Sequence, residues 1–157
     1  MEIHVGIGTG AGTTELSAFD SALNAAGVAN FNLIRLSSVI PPQTTIHVHD
    51  GAVPPIDATW GDKLYVVQAD YRTSVPGTQA WAGVGWAVDP ITKKGLFVEH
   101  EGESEVYVRD QIKKSLATLM ETRGVDFGQI NMQVTGITCY DKPVGATVVA
   151  VYQARPW

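Results

Sequence analysis

A chain of 157 residues that is 45% apolar and 17% charged fits one globular domain, long enough to bury about two-thirds of its unfolded surface. Its net charge of −5, with no basic block, argues against nucleic acid or an anionic membrane as partner, and no segment approaches the ~20 apolar residues of a membrane span. The lone Cys139 excludes an intrachain disulfide, and with no charged and apolar leader at the N-terminus the expected compartment is the cytoplasm. The sparse charge suits a surface partly buried in an oligomer, and the acidic balance suits a cationic substrate.

Taken in order, Glu2 to Gly8 reads as a first strand with Ile3, Val5 and Ile7 on one face. Gly6, Gly8, Gly10 and Gly12 read as a flexible loop. Thr13 or Thr14 caps a helix that runs to about Ala26 and stops at Gly27. Its expected buried stripe is Leu16, Phe19, Leu23 and Ala26, which leaves the Asp20 carboxylate at the edge of an apolar face, a costly place for an unpartnered acid. Phe31 to Ser37 alternates without a purely polar face, as an inner strand covered on both sides does. Ser37-Ser38-Val39-Ile40-Pro41-Pro42 then ends in two prolines that have no N–H and a fixed φ, so the backbone leaving Ser38 is expected to be stiff.

Thr45–His49 reads as a short strand, followed by a loop over Pro54–Gly61 and strands at Lys63–Tyr71, Gln79–Val88 and Gly95–Glu101. Gly83 and Gly85 thin the middle of these, as where a ligand or another backbone comes close. Ser104 caps a long helix to about Arg123 with the stripe Val108, Ile112, Leu116 and Leu119, ended by Gly124. Ile130–Cys139 and Thr147–Gln153 complete about seven strands. Two main helices with mostly hairpin-linked strands predict an α+β fold, a layered α/β/β/α-type sandwich with mostly antiparallel sheets, over a single domain 1–157.

Several constellations compete for function. Gly6-Ile7-Gly8-Thr9-Gly10-Ala11 lies between a strand and a helix and fits the permissive dinucleotide pattern, but the second strand ends in Ser37-Ser38, not in the acid that pattern requires. His47 and His49 share a strand face and could share a metal, yet a third ligand with sensible spacing is missing, so an exposed edge strand is the preferred reading. His4 and His100 read as isolated structural residues, Cys139 as a core residue, and Trp60, Trp81, Trp86 and Trp157 as packing or interface residues. Glu99 and Glu101 share a strand face beside Phe97, where like charge and an apolar neighbour raise carboxyl pKa values; the pair is either a proton donor or an ordinary pair of surface acids.

Ala18-Phe19-Asp20, Ala25-Ala26-Gly27, Asn30-Phe31-Asn32-Leu33-Ile34, Ser37-Ser38-Val39-Ile40-Pro41-Pro42 and Gly95-Leu96-Phe97-Val98-Glu99-His100-Glu101-Gly102 together resemble the pyruvoyl-dependent arginine decarboxylases. The match runs in order over most of the chain. The resemblance implies that Ser37–Ser38 is a self-cleavage site: the Ser38 hydroxyl attacks the Ser37 carbonyl, and elimination and hydrolysis leave a pyruvoyl group at residue 38. The products are a β chain 1–37 and an α chain 38–157. It implies that arginine is converted to agmatine and CO2 through a Schiff base on that group, with neither pyridoxal phosphate nor a metal. It further implies that Asn32 is an oxyanion donor or positioning residue, that Glu99 is the general acid, and that Asp20 receives the guanidinium. Homotrimers, sometimes paired into hexamers, with sites between subunits, are implied as well. Two rivals remain: the same chemistry on another basic amino acid, and an unprocessed binding or scaffold protein of the same fold.

Overall fold

The computed structural model describes residues 1–157. The elements in chain order are β1 (Glu2–Ala11), α1 (Glu15–Ala26), β2 (Asn32–Arg35), β3 (Val39–Ile40), β4 (Thr45–Val48), β5 (Lys63–Thr73), β6 (Gln79–Val88), β7 (Gly95–Gly102), α2 (Glu105–Arg123), β8 (Asn131–Thr138) and β9 (Val144–Arg155). They form a five-stranded sheet of order β2-β5-β9-β1-β4 and a four-stranded sheet of order β3-β7-β6-β8. β1–β4 and β2–β5 pair in parallel and every other pair is antiparallel. Ile3, Val5, Val67, Val84, Phe97, Val148 and Ala150 fill the space between the sheets. Leu23 and Ala26 of α1 cover the outer face of the larger sheet, and Val108, Ile112 and Leu116 of α2 cover that of the smaller. The layered α/β/β/α sandwich expected from the sequence is the one observed. No helix is long and apolar enough to cross a membrane.

The glycines of β1 depart from expectation. β1 continues as a strand through Ala11, and its glycines are contact points for α1. A methyl group at Gly8 would lie 2.0 Å from the Ala22 carbonyl oxygen, and one at Gly10 2.5 Å from the Ser21 Cβ. Small residues here let a helix lie directly on a strand, so the space a pyrophosphate would need is filled by backbone. α1 begins only at Glu15, and its first amides are satisfied within a capping box, Thr14 accepting from the Ser17 N–H while Ser17 Oγ accepts from the Thr14 N–H. The dinucleotide pattern is thus a packing pattern. Gly85 does the same for α2, where an added methyl would meet Ile112 at 2.1 Å.

Three other expectations shift for the same kind of reason. Because α1 rides so close to β1, its buried face is built from the small residues Ala18, Ala22 and Ala26 with Leu23, while Leu16 is 67% exposed. In α2, Met120 takes the buried position expected of Leu119. β2 is an edge strand, not an inner one, and is only four residues long. β4 is an edge strand too, as His47 and His49 suggested, but His4 is not isolated. The parallel register sets His4 opposite His47, and its ring stacks on both His47 (4.9 Å) and His49 (5.2 Å).

Candidate active site

β2 and β3 lie close in sequence but belong to different sheets, so the chain crosses the sandwich between Arg35 and Val39. Packed sheets stand ~10 Å apart, and a residue spans at most ~3.6 Å, which leaves the crossing little slack. Its anchors are visible. The Leu36 N–H still donates to the Val66 carbonyl of the first sheet (2.8 Å), and the Phe97 N–H of the second already donates to the Ser38 carbonyl (2.8 Å). The Ser37–Ser38 peptide is the stretch between these two anchors. Ser37 is exposed, whereas Ser38 is 9% exposed and takes φ 73°. A β-carbon is crowded in that left-handed region, at a cost of ~1–2 kcal/mol that neighbouring structure must offset.

The same turn aims the Ser38 hydroxyl at the Glu99 carboxylate, with Oγ 2.9 Å from Oε1 and 2.8 Å from Oε2. Glu99 sits on the face of β7 that also carries Phe97, two residues past the amide that binds the Ser38 carbonyl. One short segment of β7 therefore grips both polar ends of Ser38. The hydroxyl has a proton acceptor, and the carbonyl has a backbone donor.

Ser37, Ser38, Phe97 and Glu99 line a cleft of about 600 Å³ whose other wall is the C-terminal half of α2, with Ser115, Thr118, Leu119 and Arg123. His100 faces that wall and hydrogen-bonds Ser115 Oγ (2.7 Å), and burial pushes its imidazole pKa down. Lys114 also lines the cleft, held by an ion pair with Asp110 one turn away (2.8 Å). Glu101, on the same strand face as Glu99, is pushed up chiefly by burial and further by the charges of Asp70 and Glu99, with Arg35 opposing.

The structure brings Ser37, Ser38 and Glu99 together and leaves Asn32 and Asp20 apart. Asn32 stands at the far end of β2, where its amide donates to the Gly61 carbonyl (2.6 Å), in a separate cleft with Phe31 and Trp60. Asp20 is exposed on α1, not pressed against an apolar face, because the buried stripe is rotated toward Ala18 and Ala22. Neither lines the Ser38 cleft of its own chain.

Two contacts that hold this segment escape a reading of the sequence. The Phe97 amide is backbone and leaves no residue signature. Tyr152 donates its hydroxyl to the Val39 carbonyl (3.0 Å), directly after Ser38; a tyrosine ending the apolar run Val148–Val151 was its signal, since a buried phenol keeps a polar partner.

A buried serine in the left-handed region thus stands beside a cleft with a carboxylate on its hydroxyl, an arrangement that places a nucleophile and a proton acceptor together. The family described as pyruvoyl-dependent arginine decarboxylase matches residues 2–153. The pyruvoyl-dependent arginine decarboxylase of Halobacterium salinarum is 36% identical over 152 residues, covering 96% of this chain and 92% of that protein. Those of Thermococcus kodakarensis (32% over 154 residues, 94% and 91% covered) and Pyrococcus abyssi (32% over 145 residues, 89% and 87% covered) are similar along nearly their whole lengths. The chain belongs to the pyruvoyl-dependent arginine decarboxylases, an enzyme family named for a covalent pyruvoyl group.

Proposed function

We propose that this chain cuts its own Ser37–Ser38 bond, converts Ser38 to a pyruvoyl group, and then decarboxylates L-arginine to agmatine and CO2. The observation that carries the reading is the Ser38 hydroxyl held on Glu99 while its backbone is strained at the sheet crossing. In the first stage Glu99 takes the hydroxyl proton as Ser38 Oγ bonds to the Ser37 carbonyl carbon. The C–N bond breaks, the freed nitrogen is protonated, and an ester links the two serines. Removal of the Ser38 Cα proton and departure of the Ser37 carboxylate from Cβ leave dehydroalanine and separate chain 1–37 from chain 38–157. The enamine of that dehydroalanine becomes an imine, and water then replaces the nitrogen, releasing ammonia. Relief of the left-handed Ser38 conformation favours this otherwise uphill acyl shift.

The residues fit the group that results. The ketone oxygen would stand on Cα in place of the Ser38 nitrogen, a methyl would occupy the seat of the Ser38 hydroxymethyl group beside Glu99, and the Phe97 N–H would face the carbonyl that remains. When formed, the pyruvoyl group supplies an electron sink for the carbanion left as CO2 departs. Glu99 holds the proton that the substrate carbon receives, from the side of the cleft where it held the Ser38 hydroxyl. Leu96, Phe97, Val98 and Leu119 give part of the cleft an apolar wall, which favours loss of charge as carboxylate becomes neutral CO2.

Asp20 and Asn32 act in this scheme on the cleft of a neighbouring copy: Asp20 receives the guanidinium, and Asn32 is the donor or positioning residue for the cleaved peptide. Their exposure and their distance from the Ser38 cleft of their own chain support that placement, as does the sparse surface charge. A homotrimer, alone or paired into a hexamer, is the assembly proposed. Intact-mass spectra of the purified protein and of Ser38→Ala test the cleavage, which the variant should not perform; a cut Ser38→Ala chain would refute the assignment. Comparing CO2 release from arginine, lysine and ornithine tests the substrate. Arginine is expected to be fastest and to lose its advantage in Asp20→Asn.

A further inference from the structure

Ser38 is held from both sheets. From β7 the Phe97 N–H donates to the Ser38 carbonyl, and from β9 the Tyr152 hydroxyl donates to the carbonyl of the next residue, Val39 (3.0 Å). Tyr152 lies in the five-stranded sheet and Val39 in the four-stranded one, so the phenol spans the core that separates them. Upstream on the same face β9 presents only Val144, Ala146, Val148 and Ala150 to that core. At Tyr152 the row ends in a side chain long enough to reach across with a polar tip. Its ring packs 6.2 Å from that of Phe97 and is 8% exposed.

The bond matters because Val39 has little else to hold it. Val39 is 57% exposed, and β3 pairs with β7 over only two residues. With the Ser38 and Val39 carbonyls both fixed, the two peptide planes that follow Ser38 are fixed. The remaining freedom of the crossing then falls on Ser37 and on the φ of Ser38.

We propose that Tyr152 is a positioning residue for the chemistry at Ser38: by holding the Val39 carbonyl it keeps the Ser38 hydroxyl on Glu99 for self-cleavage and keeps residue 38 in the same seat once the chain is cut. Cleavage breaks only the Ser37–Ser38 bond, so both carbonyls and both donors remain on the 38–157 chain. Burial first, and the nearby Glu99 charge second, push the phenol pKa upward, so Tyr152 is a neutral donor around neutral pH.

This inference rests on the self-cleavage proposed above, and its test separates the two. Wild type, Tyr152→Phe and Tyr65→Phe are followed by intact mass spectrometry from synthesis onward, with melting temperatures measured alongside. kcat and KM for arginine are then measured on the processed fractions. Tyr65 packs against the same core from β5, so its variant removes a phenol from the same region without touching the Ser38 peptide. Tyr152→Phe is expected to cleave about tenfold more slowly and to lose a comparable factor in kcat with KM unchanged, the scale of one well-placed hydrogen bond. Tyr65→Phe should match wild type in both, with a melting temperature no lower than that of Tyr152→Phe, which gives up the buried bond to Val39. Wild-type rates in Tyr152→Phe overturn the role of Tyr152 and leave self-cleavage standing, as does equal slowing in the two variants. A wild-type chain that never cleaves overturns both proposals.

Discussion

The ends of the helices and the crossing between the sheets use the same backbone conformation for opposite purposes. Gly27 closes α1 at φ 85° and Gly124 closes α2 at φ 61°, and in both places the residue has no side chain to crowd the turn. Ser38 adopts φ 73° with a β-carbon present, and of the non-glycine residues at positive φ it is the one that is buried, Gln43 and Lys93 being exposed. Glycine would relax this crossing as it relaxes the helix ends. A glycine has no hydroxyl, however, and the hydroxyl is what Glu99 holds. Strain is kept where a side chain is needed and avoided where only a turn is needed.

That contrast can be broken at Ser38 itself. Both Ser38→Gly and Ser38→Ala should abolish cleavage, leaving a single 16.8 kDa species on an intact-mass spectrum. Of the two, Ser38→Gly should be the more stable by about 0.5–1 kcal/mol in denaturant unfolding, because relief of left-handed strain outweighs the added freedom of the unfolded chain. Glu99→Gln comes next. It removes the group proposed as proton acceptor and later donor, and should slow cleavage and turnover by about 10²–10⁴-fold in timed mass spectra and CO2 assays. Gly8→Ala tests the other use of glycine, close approach: with the Ala22 carbonyl 2.0 Å from the new methyl, α1 must shift, and unfolding should become easier by about 1–3 kcal/mol. Gly27→Ala should lose about 1 kcal/mol, mirroring the gain at Ser38.

The smallest effect concerns the edge strand β4. Burial first, then the charges of His47 and His49, push the His4 imidazole pKa down, with Glu2 opposing. The unfolded chain therefore binds this proton more readily. Stability from His4 is complete above the ordinary histidine value of about 6.5 and declines as pH falls through it. Urea midpoints measured as a function of pH should drop more steeply on the acid side for wild type than for His4→Gln.

Much of this molecule could be read from its residues, and what could not has physical causes. The helix caps at Thr14, Gly27, Ser104 and Gly124 and the layered architecture follow from local chemistry and periodicity, and both appear as expected. The Ser38–Glu99 juxtaposition needs β3 to pair with β7; the resemblance implies it, since residues 61 positions apart carry no spacing signal. Glycines in β1 read as a loop because glycine permits loops, and only the contact with α1 reveals that they were selected by size. The two prolines were expected to hold Ser38 taut. They follow Ile40, and the bonds that hold the crossing nearer Ser38 are those from Leu36 to Val66, from Phe97 to Ser38 and from Tyr152 to Val39. Backbone donors and inter-sheet bonds have no letter in a sequence.

The most direct measurement is the intact mass of the wild-type protein after purification and prolonged incubation. Two species are expected, residues 1–37 and residues 38–157, the second carrying a ketone in place of its first amine. A single uncut 16.8 kDa chain would contradict self-cleavage at Ser38.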